Sequence, residues 1–274
     1  MGNACPDLEW VKQDIAKARA CLCEGQVLMV SVFGDGNTLD QIAQDFAVTA
    51  RLAYESGAHV IELNLSCPNI NQHFFYKDGK YVAQILQKVR QTLPHIPVIV
   101  KVGLFESTSQ MREIFTIAAT SGAQGVCGIN SIPVQVCTKN GQPFFGDKRR
   151  VNGLSGSPIR SLAQQFVKDA RACIAEGKLN LVLLAAGGAT EATHFKEFFK
   201  LRSNSSIMRN RFYAQSLYSS KLLPGLTFKR LLLGEYFEVL SLRSHFCRGE
   251  THIYHNSLPN FLNIMVVQEQ LCNG

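Results

Sequence analysis

No apolar run in this 274-residue chain reaches the roughly 18 residues that span a bilayer. The N-terminus also lacks a basic segment followed by an apolar stretch, so neither a membrane anchor nor an export signal is read, and a cytoplasmic place is expected. Paired CxxC spacing is missing. The nine cysteines are odd in number and scattered, which argues against a disulfide framework or a structural zinc site and favours reduced thiols. Cys21 and Cys23, with Cys5, have neither a second pair nor a nearby histidine to complete a shell, so no metal is expected. A GxGxxG turn after the first apolar strand is absent too, which removes the main sign of a Rossmann domain.

The charge distribution speaks against nucleic acid. The net charge is +7, yet residues 1–201 carry 20 basic and 17 acidic side chains, whereas residues 202–274 carry 8 and 4. The basic excess thus lies in a tail that also holds no aspartate and a single alanine, Ala214, against 21 alanines before it. Lys148, Arg149 and Arg150 read as a solvated face. With 46% apolar and 18% charged residues, the chain is otherwise typical of globular enzymes and binding proteins, and is long enough for one large domain.

What is present is an alternation of strand and helix. Val27 to Val32, Val60 to Leu65, Val98 to Val102, Gly125 to Ile129 and Leu181 to Ala185 are short aliphatic runs that predict buried strands. Helical spacing predicts helices over Leu8 to Cys23, Leu39 to Ser56, Tyr81 to Thr92, Thr108 to Ser121, Ile159 to Glu176 and Glu191 to Lys200. Such alternation means parallel strands with right-handed crossovers, in a doubly wound sheet or a (β/α)₈ barrel. Polar groups follow four of the strands: Asn64 to Asn69, Lys101, Asn130 with Ser131, and Gly187 with Gly188. Chemistry at one rim beyond the strand ends favours the barrel. Lys101 offers a fixed cation there, the glycine pair bare amides for a phosphate, and the asparagines neutral donors and acceptors for a flat polar ring. Cys67 adds a titratable thiol. A hairpin excursion is expected over Lys139 to Arg150.

These residues carry a resemblance. ELNLSCPN at Glu62 to Asn69 resembles the signature of the dihydroorotate dehydrogenases, flavin barrel enzymes of pyrimidine synthesis, in the class with a cysteine base. VKVG (Val100 to Gly103), GINS (Gly128 to Ser131), GLSG (Gly153 to Gly156) and AAGGA (Ala185 to Ala189) stand in the same order as in that family. The resemblance implies FMN as cofactor and dihydroorotate as a small-molecule substrate, with no nucleic acid or membrane, and a homodimer in intact relatives. It implies that Cys67 removes the C5 proton while hydride leaves C6, and that Asn64, Asn69, Asn130 and Ser131 hold the substrate, Asn130 also facing the flavin. Lys101 would face the flavin's N1–C2=O edge, and Gly153, Gly156, Gly187 and Gly188 the ribityl chain and phosphate. His73, Lys77 and Lys80 fall where the family has a mobile loop. Dihydropyrimidine dehydrogenases carry a near copy of the octapeptide and are the alternative enzyme. A non-catalytic remnant is the alternative outside enzymes.

The departures from the family are equally specific. Its first two strands are expected before Met1, so a partial barrel of about five strand–helix units is expected, its last strand missing or scrambled. Two regions follow: residues 1–201 as the FMN-binding barrel part and residues 202–274 as a poorly ordered tail. Back-translated from Arg202 with permitted codons and shifted by one base, the tail opens as GAIAASCATGFMRNPYIAA, which restores the family's Gly-Ala lead, small apolar strand and Ala-Thr-Gly turn. Out-of-frame translation of residues 202–274 is the expectation.

Overall fold

Side-chain alternation along the strands organises this molecule, seen in a computed structural model that describes residues 7–22, 26–66, 74–147 and 150–201, together with the backbone of 212–216, 238–241 and 262–268. The five expected strands form as β1 (Gln26–Val32), β2 (Val60–Asn64), β3 (Val98–Val102), β4 (Gly125–Gly128) and β7 (Val182–Ala186). They lie side by side in that order, all parallel. An antiparallel hairpin of β5 (Ile132–Gln135) and β6 (Val151–Leu154) intervenes between β4 and β7 in the chain. Its arms enclose the excursion expected at Lys139 to Arg150, of which Lys148 and Arg149 lie outside the described residues.

Three strands from the tail complete the ring. β8 (Phe212–Ser216) pairs parallel with β7, β9 (Glu238–Ser241) parallel with β8, and β10 (Leu262–Gln268) antiparallel with both β9 and β1. The sheet is therefore closed in the order β1-β10-β9-β8-β7-β4-β3-β2. Five strands alone would leave two open edges; the backbone of these segments covers both.

The helices form where expected, with ends set by capping. α1 (Leu8–Ala20) starts at Asp7, whose carboxylate accepts from the Trp10 N–H. α2 (Leu39–Glu55) begins with a capping box of Thr38 and Gln41. α3 (Gly79–Thr92) begins two residues before the apolar periodicity because the Asp78 side chain accepts from the Lys80 N–H. α4 (Thr108–Thr120) is capped by Ser107; α5 (Arg160–Glu176) and α6 (Ala192–Lys200) complete the set.

Every strand of a barrel is buried on both faces, which is why these read as nearly continuous apolar runs. The outward residues Leu28, Val30, Ile61, Leu63, Val100, Val126 and Leu183 pack in the main core, shared with helix residues such as Phe46, Ile85 and Phe115. The inward ones, Met29, Ile99, Cys127, Leu184 and Ala186, form a separate smaller cluster inside the ring. Edge-to-face rings run from Tyr76 through Phe105 and Phe115 to Phe166, with centroids 5.2, 5.9 and 6.5 Å apart. This ladder ties the segment after β2 to the end of β3, to α4 and to α5. Two motif glycines serve it. A Cβ on Gly103 would meet the Tyr76 hydroxyl at 2.8 Å, and one on Gly128 the Phe166 ring at 2.4 Å.

Phe115 is fully buried at the centre of that ladder. Phe115→Ala should therefore cost about 3–5 kcal/mol of stability through lost burial and the cavity left behind. An unfolding free energy from chemical denaturation that falls by less than a quarter of that amount would show that the ladder is not tightly packed.

Candidate functional site

The C-terminal ends of β2, β3, β4 and β7 share one rim. Parallel pairing sets Asn64 opposite Lys101, and Lys101 opposite Cys127, so the polar positions of three adjacent strands come together. At the rim a neutral network joins β2 to the segment after β4. The Ser66 hydroxyl donates to Asn64 Oδ1 at 3.0 Å; the Asn130 Nδ2 donates to Ser66 Oγ at 2.9 Å and to the Ser66 carbonyl at 3.1 Å. The Ser131 N–H donates to Asn130 Oδ1 at 2.9 Å, which orients that amide from its other side. Asn64 and Ser66 are largely buried, while Asn130 and Ser131 are partly open. Ser131 also lies hard against β6, where a Cβ on Gly153 would meet its Oγ at 2.4 Å.

Below the rim the ring interior holds a charge pair. The Lys101 ammonium lies 3.6 Å from Glu62 Oε1, and that oxygen accepts from the Ser31 hydroxyl at 2.7 Å. Glu62 is fully buried and Lys101 nearly so. Among the described residues, Glu62 Oε2 has no hydrogen-bond partner. Burial alone pushes the Lys101 pKa down, but the adjacent Glu62 carboxylate outweighs it, and the net shift is upward. Cys127 is fully buried beside the same pair. Burial first, and then the Glu62 charge, hold its thiol well above the ordinary range.

A third group of residues lies at the end of β7. Gly187 and Gly188 have φ of +123° and +76°, and Gly156 has φ of +82°, all in regions that disfavour a side chain. A Cβ on Gly188 would come within 2.9 Å of the Arg160 backbone, and one on Gly187 within 2.9 Å of the Ala163 Cβ. These glycines thus let the turn before α6 abut the first turn of α5. Arg160 contacts His194 Nε2 at 2.5 Å, and the Thr190 N–H donates to His194 Nδ1 at 3.2 Å.

Of the residues expected to act, Asn64, Lys101, Asn130 and Ser131 are brought together, with Gly153 beside Ser131. Gly156, Gly187 and Gly188 gather at the start of α5. Cys67 and Asn69 lie outside the described residues, as does His73. Lys77 pairs with Glu106 at 2.7 Å, and Lys80 lies exposed in the first turn of α3, where its backbone N–H donates to the capping Asp78. Sequence reasoning passed over Glu62, Ser66, Ser31 and Arg160. The signal for Glu62 was in plain view: an acid at an inward position of an otherwise apolar strand.

The family profile described as dihydroorotate dehydrogenase matches residues 3–208. The chain belongs to that family. Among its relatives, the dihydroorotate dehydrogenase of Dictyostelium discoideum is 33% identical over 195 residues, covering 69% of this chain and 53% of that protein. The catalytic subunit of the NAD(+)-type dihydroorotate dehydrogenase B from Bacillus thuringiensis is 28% identical over 167 residues, covering 60% of this chain and 51% of that one. The NAD-dependent dihydropyrimidine dehydrogenase subunit PreA of Escherichia coli is 26% identical over 153 residues, covering 53% of this chain and 35% of its own length. The chain thus spans about half the length, or less, of these relatives. In fold it resembles the dihydroorotate dehydrogenase of Eimeria tenella, solved in complex with ferulenol, with a TM-score of 0.58 at 15% identity over 76% of this chain and 58% of that one. The dihydroorotate dehydrogenase match stops six residues past Arg202, close to the change in composition. No described helix is long and apolar enough to cross a membrane.

Lys101 and Cys127 bind their protons more tightly in the folded chain than in the unfolded one. Each contributes stability that is fully present below its unfolded pKa, about 8.5 for the thiol and 10.4 for the amine, and lost as pH rises through the higher folded value. The denaturation midpoint should therefore fall as pH is raised from 8 to 11, and Cys127→Ala should remove the earlier part of that fall. A midpoint independent of pH across this range would contradict the buried titrating pair.

Proposed function

We propose that this chain carries the site of an FMN-dependent oxidation of dihydroorotate to orotate. The observation that carries the reading is the Asn64–Ser66–Asn130 network at the strand-end rim with the buried Lys101 ammonium in the ring interior beneath it. A flat ring edged with C=O and N–H groups needs neutral donors and acceptors of this kind. A cofactor that gathers negative charge on reduction needs a fixed cation beside it.

The residues present suit FMN. Gly156, Gly187 and Gly188 hold backbone conformations that disfavour side chains, and the last two set the turn before α6 against the start of α5, where main-chain amides would meet a ribityl phosphate. When bound, FMN supplies the two-electron acceptor for the reaction. Lys101 would lie toward its N1–C2=O edge, and Asn64, Asn69, Asn130 and Ser131 would orient the substrate ring. Cys67, the residue after Ser66, would take the C5 proton. Its thiol is a weak base at neutral pH unless the site lowers its pKa, so the reaction should quicken toward alkaline pH.

The similarity to the PreA subunit gives the dihydropyrimidine reading its own support. The two differ in whether the site takes a ring carboxylate. The same proposal assigns the site to residues 1–201 and treats residues 202–274 as translated out of frame, supported by the loss of alanine and aspartate and by the end of the family match. It also carries a cytoplasmic location and, as in intact relatives, a homodimer.

Purified protein supplied with FMN should be yellow, and dihydroorotate should bleach it anaerobically, whereas dihydrouracil should not. Cys67→Ser should slow that bleaching by about 10²–10⁴-fold while FMN stays bound. Bleaching by dihydrouracil alone would move the chain to the dihydropyrimidine class. A colourless protein that takes up no FMN would leave only a non-catalytic remnant.

A further inference from the structure

Glu62 is the one buried acid of the ring interior among the described residues, and nothing in the proposed reaction calls for it. It stands on β2, between Ser31 of β1 and Lys101 of β3, so the three side chains span three neighbouring strands. In the register Glu62 faces Ile99, while Lys101 faces Asn64 one inward layer nearer the rim. The lysine's long side chain is therefore tied back toward the interior, rather than left free to swing into the rim. Its carboxylate partner cannot swing away either, because Oε1 is held by the Ser31 hydroxyl at 2.7 Å.

Resting on the proposed flavin site, we propose that Glu62 is a positioning residue for Lys101: anchored by Ser31, its carboxylate fixes where the ammonium sits and how much net positive charge the site presents to FMN. A pair kept only for stability could be replaced by apolar side chains of similar volume with little loss. A pair that sets a cofactor's charge environment could not. Among the described residues, the titratable groups facing Lys101 are Glu62 on β2 and Cys127 on β4, and the Cys127 thiol is held neutral by burial and by Glu62. The negative charge that balances Lys101 therefore comes from Glu62. Without it the ammonium would face burial unaided, and its proton would be released at lower pH.

The test uses the full chain with Glu62→Gln, Glu62→Asp, Lys101→Met and the double variant Glu62→Gln/Lys101→Met. In protein labelled at lysine nitrogen, the Lys101 resonance, assigned by its loss in Lys101→Met, is followed against pH without any flavin. The glutamine variant should lower its titration midpoint by about one unit or more, and the aspartate variant should restore most of the difference. With FMN bound, the glutamine variant should favour reduced over oxidised flavin by about tenfold relative to the parent at neutral pH. That preference should fade as Lys101 deprotonates, a break absent from the parent. If the glutamine variant does not fold, the double variant should recover folding, because it removes both charges together; failure to recover would overturn the coupling. An unchanged Lys101 midpoint in the glutamine variant overturns the proposal outright, as does a changed midpoint with an unchanged flavin preference. A parent that takes up no FMN, with the midpoint shifted as expected, sinks the flavin reading and keeps Glu62's hold on Lys101.

Discussion

An ammonium group cannot be held inside an apolar ring of strands without a counter-charge beside it, and much of the arrangement around Lys101 follows from that. Glu62 must be on the neighbouring strand at an inward position. Ser31 must be on the strand beyond to hold the carboxylate still. The register between β1, β2 and β3 is thereby tied to the charge pair as well as to the apolar pattern, since a slip of one residue would turn Glu62 into the helix layer. Two opposite charges and a hydroxyl constrain three strands at once.

The rim above inherits its geometry from the same alignment. Asn64 sits opposite Lys101, and Asn130 reaches back to Ser66, so a neutral hydrogen-bonding surface lies directly above a buried cation. The surrounding aromatic ladder keeps the strand ends from moving apart. Gly103 and Gly128, within two of the family motifs, are best understood here as close-packing positions: Tyr76 and Phe166 occupy the space where side chains would have been. At these two motif positions the missing side chain makes room for a ring of the ladder.

Much of this was legible because parallel strands buried on both faces leave an unmistakable trace, and all five strands were found within about a residue of where they lie. The end of β2 gave Asn64, and the end of β3 gave Lys101, because polar residues stand out after aliphatic runs. Glu62 escaped for the opposite reason. Embedded among apolar neighbours in a recognisable octapeptide, it passed as part of the strand. Its importance appears only when Lys101, 39 positions later, is brought to 3.6 Å. Arg160 escaped because a helix-start arginine is usually solvated, and only the fold sets it against Gly188 and His194. The α3 start was missed by two residues because capping by Asp78, not apolar spacing, decides it.

The reversed direction of β10 has a consequence for how the ring is built. Its ladder to β1 runs along the whole of that strand, from Gln26 with Gln268 to Val32 with Leu262, though it runs opposite to every strand that bears a site residue. On the other side of β1 the pairing to β2 and β3 is fixed by side chains as well, because Ser31, Glu62 and Lys101 bridge the three strands. β1 is thus the strand at which a ladder in one direction meets a ladder in the other, and its inward Ser31 belongs to the charged side of that meeting.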